Sequence, residues 1–229
     1  MNENIELQIS KIDFKDQRKW DISSREMFGI LLSAPACYIR GWNVNHIEIE
    51  YYNENKEEID RLLKIKEISN KESLLREIDR WMDKESVGKD YNQFLTFWFG
   101  NPDFDENELG ESARHLFQSC KNFADKFYKI VGTAGFYAWD YAELIPFIRM
   151  GFMRGWLDYK EASKLLDQVI TKVCRIYNSY ERYAKSYICG GAYYMYKSMS
   201  MDESAAYRFM NTLCDIVKEL LSDTEYWKK

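Results

Sequence analysis

The chain has only three prolines and eleven glycines among 229 residues. So few backbone breakers favour long helices over many short strands joined by tight turns. Histidine is scarcer still. His46 and His115 stand far apart with no Cys or His at ligand spacing, and no Glu-x-x-His motif occurs, which argues against a zinc site and a di-iron bundle. The five cysteines, Cys37, Cys120, Cys174, Cys189 and Cys214, include no CxxC pair and read as reduced, mostly buried small hydrophobes. No apolar run approaches the roughly 20 residues needed to span a bilayer, and the nearest, Ile30 to Ile39, contains Pro35. The opening MNENIELQISKIDFK lacks the basic, apolar and small-residue regions of a secretory signal, so the expectation is a cytoplasmic protein that does not engage a membrane. Basic excess is missing too: the net charge of -5 weighs against nucleic-acid binding. The GTAG at 132–135 is too short for a phosphate loop and no G-x-S-x-G turn occurs, so no cofactor and no catalytic set are expected.

What is present suits a folded core, with 46% hydrophobic and 30% charged residues. The expected fold is mainly α, a single compact multi-helix domain of about eight or nine helices over 21–229. An extended segment or short strand over 1–20 precedes it. Ile5, Leu7 and Ile9 alternate, as do Ile47, Ile49 and Tyr51, which leaves room for a small two-stranded β element near the N-terminus. Capping-box spacings at Ser23/Glu26, Ser69/Glu72, Asp105/Glu108, Asp158/Glu161, Asn178/Glu181 and Ser200/Glu203 predict helix starts. The resulting map places helices near 24–39 (bent at Pro35), 55–67, 71–84, 90–98, 105–131, 135–154, 159–177, 179–199 and 202–222. Gly155 should end the sixth of these and allow a short antiparallel connection.

The segment from Ala138 to Gly191 carries a recognisable order of residues. A Trp139–Asp140 pair opens a helix and is followed by Arg149, Gly151, Gly155, Glu161 with Ala162, a Tyr177-x-Ser179-Tyr180 turn, and Ser186-Tyr187-x-x-Gly190. In this order and spacing the chain resembles the bacterial family known as domain of unknown function 1266, with a family-like core over 135–200. The stretch from Ser73 to Phe97 extends the likeness upstream, toward about residue 20. Three positions depart from the family pattern: Glu143 stands where a basic residue is common, Pro146 interrupts the helix, and Tyr180 replaces a Trp. The resemblance implies no activity.

The candidate polar and aromatic site comprises Trp139, Asp140, Arg149, Tyr177, Tyr180, Tyr187 and Gly190. Asp140 reads either as a first-turn charge favoured by the helix dipole or as a pocket acid. Arg149 lies nine positions on, about half a turn out of phase on a straight helix, so pairing with Asp140 requires the Pro146 kink, or else a partner on another helix. Tyr180, Tyr183, Tyr187 and Tyr194 share one broad face of their helix, suited to packing against the helix at 135–154 or to lining a groove. Abundant Tyr and Trp, acidic charge and the missing catalytic set favour a non-catalytic protein-interaction or immunity-type module with a protein partner. The alternative is an enzyme or small-ligand-binding protein using a pocket around Asp140, Arg149 and the Tyr177–Tyr187 face.

Overall fold

The structure is a computed structural model that describes residues 5–14, 24–84, 87–100, 103–199 and 202–222. Eleven α-helices run through these residues: α1 (Ile5–Ser10), α2 (Arg25–Leu32), α3 (Ala34–Ile39), α4 (Lys56–Ile65), α5 (Lys71–Asp79), α6 (Val87–Gly100), α7 (Glu111–Val131), α8 (Tyr137–Met153), α9 (Tyr159–Ile176), α10 (Tyr180–Ser198) and α11 (Glu203–Ser222). A π-helical turn, Arg80–Lys84, extends α5. No described helix is long and apolar enough to cross a membrane.

The fold is wrapped around α8. Every residue from Ala138 to Gly151 is buried, as expected of a helix that is apolar on all sides and sits inside the core. It packs against α2, α3, α5, α6, α9 and α10. The amphipathic α9 and α11 close the outside, α9 on α2 and α8, α11 on α10 and α3. One contiguous hydrophobic core runs from Ile9 to Val217.

Several helix ends follow from the sequence and others correct it. Asp158 forms the expected capping box: the Glu161 N–H donates to its carboxylate at 2.8 Å, and its own N–H donates to Glu161 at 3.1 Å. Gly155, at φ +68°, ends α8 in the left-handed region where a Cβ is strained. At 69–72 the register is one residue off, because Asn70 is the extended residue ahead of α5 and accepts from the Ser73 N–H at 2.9 Å. Likewise Ser179 rather than Asn178 caps α10. Asp105 caps only a short 3₁₀ turn, Glu106–Glu108, and α7 begins at Glu111 behind Gly110. The bend expected at Pro35 is a full break at Ser33; Pro35 sits in the first turn of α3, where its missing N–H costs nothing. Ser23 and Ser200 lie outside the described residues.

No strand occurs among the described residues. Residues 5–10 of the expected N-terminal extended segment are helical, since a spacing of four between Ile5 and Ile9 fits a helix face as well as alternation. The alternation at 47–50 is real as burial, with Ile47 and Ile49 each 2% exposed and Glu48 and Glu50 outward. Its backbone nevertheless pairs with side chains instead of a neighbouring strand.

Candidate functional site

Arg149 supplies that partner. Its side chain is fully buried, and all five of its N–H donors are directed at fixed acceptors: Nε to the Ile47 carbonyl at 3.1 Å, Nη1 to the Asn43 carbonyl at 2.8 Å and to Cys37 Sγ at 3.2 Å, and Nη2 to Asn43 Oδ1 and the Glu48 carbonyl, both at 2.8 Å. A guanidinium offers five donors in a rigid fork, and here the fork fastens the irregular 43–48 loop to α8. Asn43 completes the clasp: its amide donates to the Glu48 carbonyl at 2.9 Å and its Oδ1 accepts from the Glu50 N–H at 2.9 Å.

Asp140 does something parallel for another segment. It is 1% exposed, and its two carboxylate oxygens accept from the Val87 and Gly88 N–H groups, both at 2.8 Å. Those N–H groups are among the orphan donors at the start of α6, so Asp140 is an N-cap delivered from a different helix and a charge placed on the positive end of the α6 dipole. Gly88 makes the approach possible, because a Cβ there would lie 2.6 Å from the Tyr137 backbone nitrogen.

The tyrosine and serine motifs close the start of α8. The buried Tyr177 hydroxyl and Ser186 hydroxyl are 2.7 Å apart; the Ala138 N–H donates to Tyr177 at 3.0 Å, and Ser186 donates to the Gly135 carbonyl at 2.8 Å. Burial pushes the Tyr177 hydroxyl well above its usual pKa, so it stays a neutral donor. Tyr183 reaches the Leu32 carbonyl at the end of α2 at 2.9 Å. Trp139 packs its ring on Tyr187 and Tyr194, with centroids 5.1 and 5.5 Å away. Gly190 lies beneath it, where a Cβ would come within 2.6 Å of Trp139 Cβ. Tyr180, at the start of α10, is raised in pKa by burial.

The structure thus brings Trp139, Tyr177, Tyr187 and Gly190 into one α8–α10 packing junction, with Asp140 on the neighbouring face of α8 against α6. Arg149 stands apart at the 43–48 loop, and Pro146 lies inside an unbroken α8, so no Asp140–Arg149 pair forms. Glu143, the departure from the family pattern, is satisfied by Arg40 at 2.7 Å. Sequence reasoning passed over Arg40 because it lies 103 positions from its partner with no motif around it. Four of the five cysteines are buried and Cys174 is exposed. Among the described residues no group of His, Cys, Asp and Glu could hold a metal ion.

Two other regions present aromatic and charged side chains at the surface. One is the edge formed by the end of α6 and the start of α7, where Phe94, Phe97, Trp98 and Phe104 surround Phe117 with ring centroids between 5.2 and 6.2 Å. Phe97 and Phe99 remain 41% and 55% exposed there. The other is a cleft at the opposite end of α6, lined by Lys66, Arg80, Trp81, Tyr194 and Lys197, with Asp140 at its wall. Neither was legible as a site, since its residues come from three or more separated elements.

The family model described as Protein of unknown function (DUF1266) matches residues 66–229. No curated protein and no solved structure matches the chain.

Proposed function

The chain belongs to the DUF1266 family, and on that premise we propose that it is a non-catalytic helical interaction module that docks a basic protein surface through the α6–α7 edge. The observation that carries this reading is the union of exposed aromatics with unneutralised acid. Phe97 and Phe99 stand beside the segment 103–111, whose Asp103, Asp105, Glu108 and Glu111 form no ion pair among the described residues. Exposed aromatic anchors beside an acidic segment suit a partner with apolar pockets and a Lys- or Arg-rich rim. Arg114, the cation nearest in sequence, directs its guanidinium to the carbonyls of Glu106, Asn107 and Leu109 rather than to a carboxylate.

The test is site-specific photocrosslinking in the organism that carries the gene, with the reactive residue placed at Phe97 or, as a comparison, at the exposed Tyr51. A discrete adduct formed from position 97 alone, and weakened by the paired reversal Glu108→Lys with Glu111→Lys, supports the reading. Identical adducts from both positions, or adducts indifferent to the reversal, defeat it.

A further inference from the structure

At the other end of α6, about 20 Å away for a helix of this length, a cleft of about 360 Å³ opens between the Arg80–Lys84 turn, the first turn of α6 and the last turns of α10. Such a volume sits at the small end of ligand sites, which run from about 300 to 1,000 Å³; a single ring system fits and a dinucleotide or peptide does not. π-helical turns frequently lie at functional sites.

The lining carries more positive than negative charge. Lys66, Arg80 and Lys197 bring three cations to the walls against the two carboxylates of Asp90 and Asp140, and Trp81 and Tyr194 bring aromatic rings. Lys197 is held by Asp90 at 2.7 Å. Glu77 serves the other two unequally: its carboxylate accepts from Arg80 at 2.9 Å and from Trp81 Nε1 at 2.7 Å, while the Lys66 ammonium stays 4.0 Å away and makes no hydrogen bond among the described residues. Lys66 lies instead over the Trp81 ring, 4.6 Å from its centroid. Burial lowers its pKa; Glu77 and Glu143 oppose that shift and Arg80 adds to it. An ammonium with three donors and no acceptor, drawn partly out of water, is best satisfied by an anion entering the cleft. Asp140 does not repel such an anion strongly, because its charge is already matched by two backbone N–H groups of α6. Tyr194 is 42% exposed, and its ring is fixed from behind by Trp139, so its outer face is a ready stacking surface.

We infer that this cleft binds a small planar anion, a ring carrying a carboxylate or a phosphate, with Lys66 and Arg80 holding the anionic oxygens, Tyr194 stacking on the ring and the edge of Trp81 walling the cleft. The inference does not rest on the docking edge, which uses the opposite end of α6.

The full chain is titrated calorimetrically with indole-3-carboxylate and with adenosine 5′-monophosphate, the two arms separating carboxylate from phosphate, and with inorganic phosphate and neutral indole as half-probes. The expected result is saturable one-to-one binding of at least one ring anion, with Kd on the order of 100 µM, and a tenfold or greater loss in both Lys66→Met and Tyr194→Ala. Both half-probes should bind at least tenfold more weakly. In the unsubstituted protein, ¹³C-methyl-lysine NMR should show the Lys66 titration moving to higher pH on binding, a readout that does not depend on any variant folding. Failure of both ring anions to saturate, equal affinity in the folded Lys66→Met variant, or binding of inorganic phosphate as tight as that of the ring anions overturns the proposal.

Discussion

At the α8–α10 junction and its flanks, the polar side chains that stand out in the sequence end on backbone groups: Arg149 on the carbonyls of 43–48, Asp140 on the first N–H groups of α6, Tyr177 and Ser186 on the turn that leads into α8. Along the α6–α7 edge, Phe97, Phe99, Glu108 and Glu111 end in solvent. The region dense in motif is therefore the one whose polar chemistry is consumed in holding the chain together. A buried guanidinium or carboxylate is costly unless every donor or acceptor is met, and meeting them leaves little for a ligand. The quieter region keeps its side chains exposed, and it is there and in the cleft at the far end of α6 that binding is to be sought.

The contrast breaks first if Arg149 proves dispensable. Arg149→Met would strand the carbonyls of Asn43 and Ile47 in the interior and leave that of Glu48 to the Asn43 amide alone. Each unmet buried polar group costs about 1–3 kcal/mol, and with the 43–48 loop free to rehydrate in part we expect a total loss of about 3–5 kcal/mol, read by urea unfolding. Wild-type stability in this variant would mean the clasp is not structural. Next in size is Gly190→Ala, whose new methyl would collide with Trp139 Cβ and lie 3.0 Å from the Phe136 carbonyl oxygen. Because one of these neighbours is backbone, the two helices must part, for a loss of about 2–3 kcal/mol. A neutral result would show that α8 and α10 are not in close register.

How much of this could be read from sequence depends on the distance between partners. Local signals were readable: Asp158 with Glu161, Gly155 after α8, and the tyrosine-bearing helix α10 set against α8. Asp140 was readable as a helix-start charge but not as the cap of α6, because its acceptor role lies 52 and 53 positions away and a tertiary cap has no spacing to recognise. The alternation at 47–50 was readable as half-buried extended chain. It could not reveal that a guanidinium would replace the neighbouring strand. The cleft was invisible for the same reason, since Lys66, Arg80 and Lys197 converge only once α5, α6 and α10 have docked on α8.

A smaller effect sharpens the comparison from within the junction. Tyr177→Phe removes the hydroxyl but leaves Ser186 Oγ 3.3 Å from the Ala138 N–H as a substitute acceptor. The expected loss is therefore about 1–2 kcal/mol, below that of Arg149→Met, which has no such reserve. A denaturant midpoint reads this loss, and a loss as large as that of Arg149→Met would show that the hydroxyl pair acts as an indivisible unit.

The smallest expected change in stability is the most telling for function. Glu108 and Glu111 are exposed and form no ion pair among the described residues, so Glu108→Lys with Glu111→Lys should alter unfolding free energy by no more than about 0.5 kcal/mol at each site. The same pair of substitutions reverses the charge beside Phe97 and should slow association with a basic partner most strongly at low salt, because charges at an interface rim act chiefly on encounter rates. A pair that unfolds like the parent yet crosslinks poorly from position 97 separates the two uses of polar groups in this fold. Loss of stability comparable to that of Gly190→Ala would instead place the edge among the structural regions, and the difference between the two ends of the molecule would disappear.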